Sequence, residues 1–204
     1  MIAIASYGLG NVSAFATVFR RLGVAHRLAA TPADLAGATK VLLPGVGAFD
    51  HAMTKLHQSG LMPILQEMVL GRRVPALGVC VGLQMMASGS DEGILPGLGW
   101  LPGHVRKLPE SPPGGQFPLP HMGWNTLEQS KPDPILTDLP AGARFYFLHS
   151  FYFECSEPEH ILACADYGIA FPCLLRRDNV YGMQCHPEKS HDNGVLVLRN
   201  FARL

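Results

Sequence analysis

The sequence predicts an α/β fold: a mixed, mostly parallel sheet flanked by helices, with extra antiparallel strands in the second half. Three observations carry this expectation. Apolar strand-like runs alternate with amphipathic helical segments from residue 2 to residue 88, the pattern of parallel strands joined by crossover helices. Beyond residue 120 helical segments give way to short strand-like runs spaced by turns, which favours antiparallel pairing. The chain has 204 residues, which suits one domain over 1–204 and buries roughly 70% of the unfolded surface without a disulfide or metal staple.

In chain order, "IAIAS" (2–6) is a short buried strand. "YGLGN" leads into an amphipathic helix that starts near Asn11, carries Phe15, Val18, Phe19 and Leu22, and stops at Gly23. "VAHRLAA" (24–30) forms a second strand, and "KVLLPGVG" (40–47) a third that ends in a glycine turn. A helix with Phe49, Met53 and Leu56 on one face stops at Ser59-Gly60, and another covers 61–70. "VPALGVC" (74–80) is the next strand and "VGLQMMAS" (81–88) opens the next helix. "LPESPPGGQFPLP" (108–120) is a Pro- and Gly-rich loop; the flanking segments are too short to make it a linker between separate domains. The runs "RFYFLHSFYF", "HILACADYG", "IAFPCLL" and "NVYGMQC" are strand-like, and the last helix covers 191–203 with Val195, Leu198 and Phe201 on one face. No internal repeat is present.

Lys plus Arg and Asp plus Glu each number 16, so the formal charge is zero. No basic field is available to hold nucleic acid or an anionic membrane. The N-terminal apolar stretch is short and lacks a basic leader, and no uncharged run approaches the ~18 residues of a membrane helix. Five cysteines stand at 80, 155, 164, 173 and 185 with no Cys-x-x-Cys, so the expectation is reduced thiols in the cytoplasm and no metal site. "YGLGN" resembles the start of a dinucleotide fingerprint, but Ser13 holds the third glycine position and no acidic residue closes the second strand. No cofactor is expected.

The chemistry concentrates at Gly78-x-Cys80-x-Gly82, between a strand and a helix. A nucleophile on such a tight turn is pushed out at the carboxyl edge of the sheet, and small neighbours relieve the crowding. The following helix would aim N–H groups and its positive dipole end at the sulfur, which favours thiolate. The Val81 N–H would be placed to bind an oxyanion. The bland alternative is a buried packing cysteine. A thiolate needs a base, and the base an orienter. Among nine histidines, His186 stands out: it ends the run "NVYGMQC" and precedes Pro187 and Glu188. In extended backbone, residues i and i+2 project to one side, so Glu188 can hold one imidazole nitrogen while the other faces Cys80. Alone, His-x-Glu reads equally as a capped turn before the last helix. Pro44-Gly45-Val46-Gly47 follows a strand and precedes a helix, where a loop can lay backbone N–H groups against developing negative charge, or simply turn.

Taken in order, "PGVGAFDHAM", "LGVCVGLQMM", "LPHMGWN", "FYFLHSFY" and "HPEKSH" resemble the triad (class I) glutamine amidotransferases, and within them the HisH-type glutaminase subunits of imidazole glycerol phosphate synthase. The resemblance runs from residue 1 to the last helix. It implies that Cys80 attacks the side-chain amide of L-glutamine, that His186 moves the protons, and that Glu188 orients it. Val81 and the Gly45–Gly47 loop, with Val46 between the glycines, would supply the oxyanion donors. Gln84, Gly47, Ser150 and Phe151 would line the glutamine site. Ammonia would pass to a HisF-like (β/α)₈-barrel cyclase, with Tyr7, Asn11, Met122, Trp124, Asn125 and Tyr146 near that interface. The sequence departs from the family pattern in three places. Cys185 stands where Phe commonly precedes His-Pro-Glu, Val81 replaces a usual Leu, and "IASYG" replaces the frequent "IIDYG". These leave open a paralogue that feeds ammonia to surface-sugar modification. A partner-binding module with a silent triad and a peptidase or γ-glutamyl hydrolase remain as alternatives from other classes.

Overall fold

The computed structural model describes residues 1–110, 115 and 117–204. Its centre is an eight-stranded sheet. Strand β1 (Ile2–Ala5) is fully buried and leads into helix α1 (Val12–Arg21). The Asn11 side chain caps α1 by accepting the Ala14 N–H, Phe15 and Phe19 face the core, and Gly23, at φ +67°, ends it. Strand β2 (His26–Ala29), β3 (Lys40–Gly45) and helix α2 (Phe49–Gln58) follow. Helix α3 (Met62–Gln66) continues into a wider turn over Glu67–Gly71. Strand β4 (Ala76–Cys80) then runs into α4 (Val81–Gln84).

The second half supplies β5 (Gly103–Lys107), β6 (His121–Thr126), β7 (Glu128–Gln129), β8 (Arg144–His149), β9 (Phe151–Cys155), β10 (Ile161–Asp166), β11 (Ala170–Arg177), β12 (Val180–Met183) and helix α5 (His191–Arg203). The sheet order is β2-β1-β3-β4-β12-β11-β10-β7. From β2 to β12 the pairs are parallel; β11, β10 and β7 extend the sheet antiparallel. Two antiparallel ribbons, β5–β9 and β6–β8, stand apart from it. The mixed, mostly parallel sheet with antiparallel additions in the second half is therefore as expected.

The core lies on the sheet's faces. Phe15, Phe19, Phe49, Trp100, Phe147 and Phe201 are all at most 1% exposed, and each such side chain contributes about 1.5–3 kcal/mol over an exposed one. One element departs from expectation. The helix opened by "VGLQMMAS" closes after the single turn Val81–Gln84. The carbonyls of Met85, Met86, Ala87 and Ser88 accept instead from Leu98, Leu101, Gly99 and Gly97. A helical face of apolar residues thus folds as a compact hub under the 97–101 segment, and tertiary bonding overrides the local preference. Of the loop expected over 108–120, residues 111–114 and 116 lie outside the described residues. Among the described residues no helix is long and apolar enough to cross a membrane.

Candidate active site

Parallel pairing of β3 with β4 sets Gly45 beside Cys80 at the carboxyl edge of the sheet. Cys80 has φ 55° and ψ −116°, a conformation that costs an L-residue roughly 1–3 kcal/mol. Packing holds it there. A Cβ on Gly82 would run into the Leu43 carbonyl oxygen, one on Gly78 would sit 2.7 Å from the Gly82 oxygen, and one on Gly45 would meet the Gly82 nitrogen. These glycines serve close approach of backbone to backbone. Cys80 is 4% exposed; its sulfur lies 3.9 Å from the Leu148 carbonyl oxygen, and the Gln184 amide donates toward it at 3.9 Å. With α4 only four residues long, its dipole is that of a single turn, weaker than the sequence suggested.

His186 and Glu188 meet the sulfur from the other half of the chain. Strand β12 ends at Met183, and His186 caps a short turn over Pro187–Lys189. Glu188 therefore reaches back to the imidazole through this turn, and not along the extended backbone expected from i, i+2 spacing. His186 Nδ1 lies 2.9 Å from Glu188 Oε1, both side chains being nearly inaccessible to solvent. Nε2 has no hydrogen-bond partner and is buried. Burial pulls the His186 pKa down, but the Cys80 sulfur and the Glu188 carboxylate outweigh it and raise the pKa to about 10. The backbone is pinned as well: the His186 N–H donates to the Tyr146 carbonyl, and Ser190 Oγ donates to the His186 carbonyl while accepting the Tyr146 N–H.

Cys80 and His186 line one cavity of about 310 Å³, with Val46, Gly47, Val81, Gln84, Ser150 and Phe151 also on its walls. That volume suits a small metabolite. The expected substrate-lining residues are thus brought together, and Gly45 stands behind them beside Cys80. Gln84 is 2% exposed and committed to the protein, since its Nε2 donates to the Phe151 carbonyl at 2.8 Å and to Gln184 Oε1 at 3.1 Å. Several residues escaped the sequence reading, His149 and Lys189 on the cavity wall among them. Glu92 lines the cavity and accepts the Phe49 N–H at 2.8 Å. Gln184 links Gln84 to the sulfur. Neither sits in a short motif; Gln184, on the segment leading to His186, had the better signal.

The six positions expected near a partner divide. Tyr7 is 4% exposed, and its hydroxyl donates to the Pro44 carbonyl at 2.6 Å; burial, with Cys80 nearby, holds its pKa well above the ordinary phenol value. It therefore supports the Pro44–Gly47 loop from below. Asn11 is exposed at the start of α1. Met122 and Trp124 are exposed on β6 at 64% and 40%, and Trp124 pairs in register with Tyr146 on β8 while its ring stacks on His191 at 5.0 Å. Asn125 turns inward, its amide donating to the Asp166 carbonyl at 2.7 Å. Cys185 is fully buried and belongs to the core.

The family described as "Glutamine amidotransferase class-I" matches residues 12–203. Imidazole glycerol phosphate synthase subunit HisH of Bdellovibrio bacteriovorus is 52% identical over all of both chains, and that of Leptospira interrogans 46% identical over all of both. Among solved structures, one described as glutamine amidotransferase superposes with a TM-score of 0.74 at 18% identity, covering 100% of this chain and 99% of the other. PurLQS from Thermotoga maritima gives 0.70 at 16% identity, covering 99% and 97%. At such identities these structures speak for the fold. With a family match spanning nearly the whole chain and full-length relatives near half identity, this protein belongs to the class I glutamine amidotransferases.

Proposed function

We propose that this chain is the glutaminase subunit of imidazole glycerol phosphate synthase in histidine biosynthesis, acting in the cytoplasm as one domain over residues 1–204. It hydrolyses L-glutamine to glutamate and ammonia and passes the ammonia to a HisF-like (β/α)₈-barrel cyclase. One observation carries the reading: a carboxylate-held imidazole with an unpartnered Nε2 shares a small cavity with a cysteine on a strained elbow.

The proposed steps follow from that geometry. The Cys80 thiolate attacks the side-chain carbonyl carbon of glutamine, and the oxygen takes up the negative charge. N–H groups of Val81 and the Gly45–Gly47 loop stabilise it. Protonated His186 gives its Nε2 proton to the amide nitrogen, the C–N bond breaks, and ammonia leaves a glutamyl thioester on Cys80. His186 then takes a proton from water as it attacks the thioester, and the thiolate departs from glutamate. Glu188 keeps the imidazole oriented throughout. Glu92, the carboxylate on the cavity wall, is suited to the α-ammonium group of the substrate.

The partner reading rests on the relatives' name and on exposed Met122 and Trp124, since Trp is enriched at interface hot spots. The test measures glutamine turnover for the chain alone, with the barrel, and with the barrel plus its nucleotide ligand. Strong stimulation is expected in the last case. Equal turnover in all three would remove the expected stimulation by the partner, and no turnover in any would remove the glutaminase assignment.

A further inference from the structure

At the Ser150–Phe151 wall of the cavity are two buried histidines that the proposed chemistry does not use: His149, which itself lines the cavity, and His121 beyond it. His121 on β6 and His149 on β8 are 3% and 5% exposed and face each other in a registered pair. Their nitrogens form a chain whose polarity can be worked out atom by atom. His149 Nδ1 lies 2.9 Å from the Phe151 carbonyl oxygen, which only accepts, so Nδ1 carries the hydrogen. Neutral His149 then accepts at Nε2, and its neighbour at 3.1 Å, His121 Nδ1, must donate. His121 Nε2 is left as an acceptor, 3.3 Å from Asn125 Nδ2. The orientation of the Asn125 amide is fixed independently: its Oδ1 accepts the Thr126 N–H at 2.8 Å, and its Nδ2 also donates to the Asp166 carbonyl at 2.7 Å. Every position in the chain is matched by one protonation pattern, with both imidazoles neutral and both carrying hydrogen on Nδ1.

The surroundings enforce that pattern. His121 is stacked between Tyr167 at 4.0 Å and Phe147 at 4.9 Å, and Phe171 packs edge-on to His149 at 5.2 Å. A second proton on either ring would set N–H against N–H at one junction. Burial lowers the pKa of His121 to about 4; burial, and then the neighbouring His121, lower that of His149 to about 3. At its inner end the chain delivers a hydrogen to the Phe151 carbonyl. That oxygen takes its second hydrogen from Gln84, which is tied through Gln184 to Cys80.

We propose that His121 and His149 are positioning residues for the glutamine cavity, forming a neutral, one-way hydrogen-bond relay from Asn125 to the Phe151 carbonyl that fixes the Ser150–Phe151 wall. This rests on the proposed glutaminase activity. Neither ring reaches the sulfur in the relay, so the effect should fall on substrate binding and leave the chemical step alone. Asn125 shares β6 with exposed Met122 and Trp124, so the outer end of the relay lies on the strand proposed to meet the partner.

Two measurements test it. Long-range ¹⁵N–¹H NMR of the histidine rings in the wild-type chain reports tautomers directly, with His121 and His149 assigned by loss of signals in the variants. Both rings should be neutral with hydrogen on Nδ1 near pH 7; an Nε2-protonated or doubly protonated ring at either position would overturn the relay. In the complex with the barrel and its nucleotide ligand, His121→Leu should raise the KM for glutamine about tenfold, since it strips a donor from a buried chain, with kcat within about twofold. His121→Asn keeps a donor where Nδ1 stood and should recover most of that loss. Unchanged KM in the Leu variant, or equal KM in the two variants, would overturn the proposal while leaving the glutaminase reading intact. A wild-type complex without turnover would instead overturn the proposed function. If the Leu variant fails to fold, the Asn variant and the wild-type tautomers still decide.

Discussion

The Cys80 elbow and the Pro44–Gly47 loop lie at the ends of neighbouring strands, yet they are built on opposite plans. Around the elbow there is no spare room: a single added carbon on Gly45, Gly78 or Gly82 would meet backbone at less than contact distance. Two residues away the loop opens out. Val46 is 38% exposed, and a Cβ on Gly47, at φ +83°, would meet nothing within 4 Å. Cys80, the proposed nucleophile, is thus held rigid by its surroundings, while the loop proposed to supply an oxyanion donor has space to turn. A site built this way can be complete in its triad and still lack one of its donors, which costs about 10²–10³-fold in rate. That is the physical basis for expecting low activity without the partner.

The largest expected effect is on the rigid side. Cys80→Ala and His186→Ala should each lower glutamine turnover by about 10⁴-fold or more, with the fold and partner binding kept. Free ammonia supplied to the complex should restore synthesis, which an altered interface would not allow. Near-normal turnover in either variant would remove that residue from the chemistry. Glu188→Gln should cost less, about 10²-fold, because the orienter never carries the moving proton. If Gln at 188 proved more damaging than Ala at 186, the roles would be reversed.

The Cys80 sulfur and, after it, the Glu188 carboxylate give a pH signature. His186 has a folded pKa of about 10 against an ordinary 6.5. A raised pKa means that the stabilisation is fully present below about pH 6.5 and is lost as pH rises through about 10. Denaturant midpoints of the wild type and Glu188→Gln should therefore differ most near pH 6 and converge toward pH 10. A gap that widened with pH would contradict the raised pKa.

The smallest effects sharpen the contrast between jammed and open glycines. Gly82→Ala should destabilise the fold by about 3 kcal/mol through overpacking against Leu43. Gly47→Ala should cost only about 1–2 kcal/mol, from its left-handed backbone, but should change the partner-stimulated rate. Thermal unfolding and stimulated turnover of the two variants, side by side, would reveal whether rigidity and freedom divide along this line. Equal loss of stability in both would erase the distinction.

What could be read in the sequence follows from how local each signal was. The alternation of strands and helices, the elbow glycines and the His-Pro-Glu run are contiguous patterns, and all lead to the observed elements. The one-turn α4 was not legible, because "VGLQMMAS" has good helical character and its carbonyls are claimed by residues nine or more positions later. The turn joining His186 to Glu188 was misread as extended because Pro187 suits both. The position of Tyr7 beneath the loop, the Gln184 bridge and the contribution of Glu92 depend on contacts between distant segments, which periodicity does not encode. His121 and His149 lay inside quoted stretches, but only the β6–β8 register makes them neighbours.

The bond from the Tyr7 hydroxyl to the Pro44 carbonyl fixes where the loop can begin to move. With that oxygen anchored to the turn after β1 and Gly45 packed against Gly82, rotation would be confined to the peptides after residue 45. A switch confined to so few atoms would be fast: surface-loop motions run at about nanoseconds to microseconds, against the order of 0.1 s for a typical turnover. The enzyme would then sample both arrangements many thousands of times in each cycle. A partner would only have to bias their occupancy, and the rate of switching would never limit the delivery of ammonia.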